Sequence, residues 1–106
     1  MRIWEENSLL RIKNIGSTET QNKLKDLGFQ FIEKDTDPLT RTGWPGKESN
    51  IFAWFNGHQR VKRQAPTIVI AEDDGLIDFH MTTTFIRRTI PSILLTLIEE
   101  GMVERV

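Results

Sequence analysis

The segment "NIFAWFNG", residues 50–57, limits the fold more than any other. In an extended chain Ile51, Ala53 and Phe55 fall on one side and Phe52 and Trp54 on the other. A strand apolar on both sides has to be covered on both sides, which places it centrally in a sheet with two buried faces. Asn56-Gly57 then closes it with a tight hairpin signal. The returning segment, "HQRVKRQ" at 58–64, has Val61 as its sole apolar residue and reads as a charged edge strand.

Around this strand the periodicity changes several times. In "SLLRIKN", Leu10 and Ile12 alternate with Arg11 and Lys13, the pattern of a half-buried strand. "NIGSTETQNKLKDLGF" predicts a helix over Glu19–Leu27. Thr18 and Gln21 are spaced as a capping box, Glu19 suits the positive helix end, and Gly28 supplies the left-handed stop. Leu24 and Leu27 are its inward residues. "FQFIEK" then puts Phe29 and Phe31 on one face of another strand. Pro66 allows a strand to begin but not to sit at a sheet centre. "TIVIAE" and "LIDFHMTT" flank Asp73-Asp74-Gly75 as a second hairpin. In its later arm Ile77, Phe79 and Met81 point inward, and Asp78, His80 and Thr82 point away. "TIPSILLTLIEEG" predicts a helix over about 89–100, with Thr89 as cap, Pro91 in the first turn and Gly101 as stop. Its stripe of Ile90, Ile93, Leu94, Leu97 and Ile98 must be buried. "MVERV" adds a last short strand. The fold class is therefore α+β: a mainly antiparallel sheet of about five to six strands, with two helices, about 19–27 and 89–100, packed on one face. At 106 residues the chain is a single domain, 1–106.

Two stretches resemble known DNA-binding elements. "NIGSTETQNKLKDLGF" resembles half of a helix-hairpin-helix, whose turn carries a similar Ile-Gly before a helix. That family has a helix before Ile15-Gly16, where "LLRIK" reads as a strand, and the second glycine of its hairpin is missing. "LLTLIEEGMVERV" resembles the step from helix to strand in winged-helix proteins. Neither likeness assigns a role to any residue here.

There is no cysteine, which excludes a disulfide framework and a thiolate zinc site. "MRIWEENSLL" lacks the apolar run of a signal peptide, and no apolar run in the sequence is long enough to span a membrane. The expected location is the cytoplasm. The net charge of -1 is unevenly spread. Residues 1–57 carry eight bases and eight acids, residues 58–71 three bases and no acid, and residues 72–106 seven acids and three bases. The middle is basic and the last third acidic, a layout that fits a polar partner surface and equally the chance split common in chains of this length.

Catalytic chemistry finds little support. Asp78 and His80 share a strand face, but with His58 as the sole other histidine they fall short of a ligand set. A pairing of His58 or His80 with Glu72, Asp73 or Asp74 would be needed for a metal-independent nuclease-like enzyme. No phosphate-binding loop accompanies Gly43 and Gly46. Catalytic, cofactor and metal residues are accordingly none, and no cofactor is expected.

What remains is a binding protein. Glu72, Asp73, Asp74 and Asp78, on or beside one hairpin tip, could stand in for phosphates in a partner's cleft. The same acidic triplet also reads simply as the solvated end of a hairpin. Trp44 lies in the aperiodic loop 35–49, where it either folds onto Phe52 and Trp54 or is offered to a partner. The leading expectation is a small non-enzymatic inhibitor of the immunity, antitoxin or phage type. It would block a protein, a toxin or host enzyme, through Trp44, Glu72, Asp73, Asp74 and Asp78. The alternative is nucleic-acid binding by Arg41, Trp44, Lys47, Arg60, Lys62 and Arg63, with cations for phosphates and a ring for stacking. Against it, the basic strand also serves as protection of a sheet edge.

Overall fold

The structure is a computed structural model and describes residues 10–34, 49–55, 67–79 and 92–106, with Phe79 by its backbone alone. Its elements are β1 (Leu10–Ile12), α1 (Thr18–Asp26), β2 (Gln30–Ile32), β3 (Ile51–Trp54), β4 (Ile68–Ala71), β5 (Ile77–Phe79), α2 (Ser92–Glu99) and β6 (Val103–Arg105). Strands β2-β3-β4-β5 form one antiparallel sheet in that order, and β1 with β6 forms a second. The fold is α+β, with two helices and six strands among the described residues.

Strand β3 lies inside the larger sheet, as its two-sided apolar pattern requires. The register lines up Phe31, Phe52, Ile70 and Ile77 across the four strands. That face carries the main core. Phe52, Trp54, Ile68, Ile70 and Ile77 pack in one cluster with Leu24 of α1 and with Ile93, Leu94 and Leu97 of α2. Both helices thus cover one face of the sheet. Each such side chain taken fully from water contributes roughly 1.5–3 kcal/mol. On the opposite face Ile51, Ala53, Phe55 and Val69 form a second buried cluster, with Ile32 beside it. Among the described residues β2 is a border strand of the sheet. Its Phe31 therefore stays 37% exposed, although its ring centroid lies 5.2 Å from that of Phe52.

The start of α1 differs from the sequence reading. The N-cap is Ser17, not Thr18, and no side chain caps the helix. Ser17 has extended backbone, φ -76° and ψ 133°, and its carbonyl already accepts the Gln21 amide at 3.0 Å. Thr18 is therefore inside the helix and cannot close a box. Gln21 turns back instead, its Nε2 donating to the Ile15 carbonyl at 2.9 Å. That bond ties the helix to the turn before it, where Asn14 holds a left-handed φ of 55°.

The two helix ends are alike. After α1, Gly28 donates to Lys25 O and Phe29 to Leu24 O, both at 3.0 Å. After α2, Gly101 donates to Ile98 O and Met102 to Leu97 O, again both at 3.0 Å. This is the Schellman arrangement, with glycine at the left-handed position. In each case the residue after the glycine is buried with its bonded partner: Phe29 with Leu24, and Met102 with Leu97. The chain leaves both helices as a strand, β2 and β6. The beginning of the second predicted helix, with Thr89, Ile90 and Pro91, lies outside the described residues. So do the Asn56-Gly57 turn, the 58–64 strand, Pro66, His80, Met81 and Thr82.

A narrow joint links the sheets. Arg11 bridges to Leu76, and the Ile12 amide donates to Gly75 O at 2.8 Å. On its other edge β1 pairs with β6, and the Lys13 amide reaches Met102 O at 2.8 Å. Strand β1 therefore sits between the last strand of the fold and the turn that joins β4 to β5.

Candidate functional site

That turn is the acidic one. Glu72, Asp73, Asp74 and Gly75 connect β4 to β5. Gly75 donates to Ala71 O at 2.9 Å, and Ala71 to Leu76 O at 3.1 Å. Gly75 holds φ +75°, a conformation that costs a residue with a Cβ about 1–2 kcal/mol. A Cβ there would also lie 2.6 Å from the Ile12 carbonyl oxygen, 3.3 Å from Arg11 Cγ and 3.4 Å from Ile15 Cβ. Glycine is thus required twice, by the turn and by the close approach of β1.

The acidic side chains divide in role. Asp74 Oδ1 accepts the Leu76 amide at 2.9 Å, so this carboxylate helps to shape the turn. The Glu72 amide donates to Asn50 O at 2.9 Å, and its Oε1 accepts from Asn50 Nδ2 at 3.5 Å. Asn50 in turn accepts the Lys34 amide on Oδ1 at 2.7 Å. One asparagine before β3 thereby connects the end of β2 to the acidic turn. Asp73 is the exposed member. Asp78 is half-buried on β5, opposite Val69, on the sheet face away from the helices. The structure gathers Glu72, Asp73 and Asp74 in one turn and sets Asp78 apart, two residues along the strand from Leu76. Among the described residues no three of His, Asp and Glu converge to hold a metal ion.

The turn has a cationic neighbour that the sequence did not single out. Arg11 lies against Gly75 and opposite Glu104 of β6, and its Nε is buried without a hydrogen-bond partner. A lone arginine in an alternating strand gives no sign of this, because the contact joins residues far apart in the chain.

The described residues also form a groove distant in sequence from the turn. One part, about 240 Å³, is lined by Lys13, Ser17, Glu19, Lys23, Glu100 and Met102 among others. The adjoining part, about 140 Å³, lies over Leu27, Asp26 and Met102. Residues 13–27 and 100–102, far apart in the chain, build it together, so no local pattern announces it. Trp44, Arg41, Lys47, Arg60, Lys62, Arg63 and His58, which the sequence marks as candidates, lie outside the described residues, as does His80. No helix among the described residues is long and apolar enough to cross a membrane.

Site and fold together define an α+β domain with an acidic, internally braced turn at the junction of its two sheets. No protein-family model, curated protein or solved structure matches the chain.

Proposed function

We propose that this protein is a small non-enzymatic inhibitor of the immunity, antitoxin or phage type, acting in the cytoplasm on another protein. Its working surface is the Glu72–Asp74 turn, and Trp44 and Asp78 are proposed as further partner-binding residues. The observation that carries this reading is the bracing of the turn by Asn50 and by the backbone of β1, with Asp73 left exposed. A carboxylate on a prefixed turn loses little freedom on binding, so more of its interaction appears as affinity. The matching partner has a cationic cleft, such as the phosphate site of a nuclease. Charge complementarity of this kind speeds encounter and excludes acidic competitors.

The test is retention of a partner from the native host's lysate on immobilised protein, wild type beside Asp73→Lys. The expected result is a cationic protein held by the wild type and lost by the variant. A purified protein that carries nucleic acid and holds no protein partner overturns the proposal in favour of the basic segment and Trp44. Binding of that second kind weakens steeply with salt, which a fluorescence titration reads directly.

A further inference from the structure

We draw no further inference here: the strongest candidate, the groove between α1 and the α2–β6 corner lined by Lys13, Ser17, Glu19, Lys23, Glu100 and Met102, sets two lysines against two glutamates, and nothing in the structure shows what fills it.

Discussion

Replacing Gly75 with alanine tests the joint between the sheets and the site built on it. The substitution has three separable effects. Holding alanine at φ +75° costs about 1–2 kcal/mol. Its Cβ would lie 2.6 Å from the Ile12 carbonyl oxygen, and because that atom is backbone, β1 must move. Such overpacking costs about 1–3 kcal/mol, and the bond from the Ile12 amide to Gly75 O lengthens with it. Against this, alanine narrows the unfolded ensemble, a gain of about 0.4–1 kcal/mol. The net loss is about 1–5 kcal/mol, against the 5–15 kcal/mol typical of a domain. For a domain of this size each kcal/mol of that loss lowers Tm by roughly 4–8 °C. Two other glycines calibrate the result. Gly101 holds φ +71° with nothing within 4 Å of a Cβ, so Gly101→Ala carries the backbone term alone and loses about 1 kcal/mol. Gly16 has neither a left-handed φ nor a neighbour within 4 Å, so Gly16→Ala is neutral or slightly stabilising. Urea unfolding followed by tryptophan fluorescence measures all three, and hydrogen exchange at Ile12 reports the joint itself. If Gly75→Ala costs no more than Gly101→Ala, the close approach of β1 to the turn is refuted.

Asp73→Lys changes stability by no more than about 0.5 kcal/mol, because the side chain is exposed. In stopped-flow it slows association with a cationic partner several-fold at low salt, and the difference shrinks as salt rises. Asn50→Ala removes the acceptor for Lys34 and the donor to Glu72, at about 0.5–1.5 kcal/mol for each net bond, read by urea midpoint. Asn50→Asp keeps the first bond and sets a second carboxylate beside Glu72, so its loss should ease when salt is added. Arg11→Met removes a buried, unbonded Nε while keeping a long apolar stem against the turn. It should be neutral or raise stability by up to about 1 kcal/mol; a clear loss would show the guanidinium engaged in solution.

Local chemistry was readable where one short segment decides the outcome. Ile51–Phe55 is apolar on both sides whatever surrounds it, and β3 lies inside the sheet with both faces buried. Gly28 and Gly101 stop their helices because the left-handed residue and its two backbone bonds lie within six residues. The cap of α1 was misplaced because Ser17 and Thr18 are chemically equivalent candidates. What separates them is the turn from Asn14 to Ser17, closed by a 2.8 Å bond from Ser17 N to Asn14 O, and no propensity encodes that bond.

The acidic turn shows the same division within a single site. Its charges and its Asp-Gly ending stand in the sequence, and they place a hairpin correctly between β4 and β5. Its bracing does not, because Asn50 lies 22 residues before Glu72 and Ile12 lies further still. Three acids on a free hairpin tip would repel one another and sample many arrangements. Here Asp74 accepts a backbone amide, Glu72 is drawn to Asn50, and Asp73 alone of the three is exposed. The exposed charge of the turn is therefore narrower than the triplet implies. A binding effect concentrated in Asp73, with stability effects at Gly75 and Asn50, is the signature of that arrangement. Equal binding losses at Glu72, Asp73 and Asp74, without stability loss, would instead describe a loosely solvated tip.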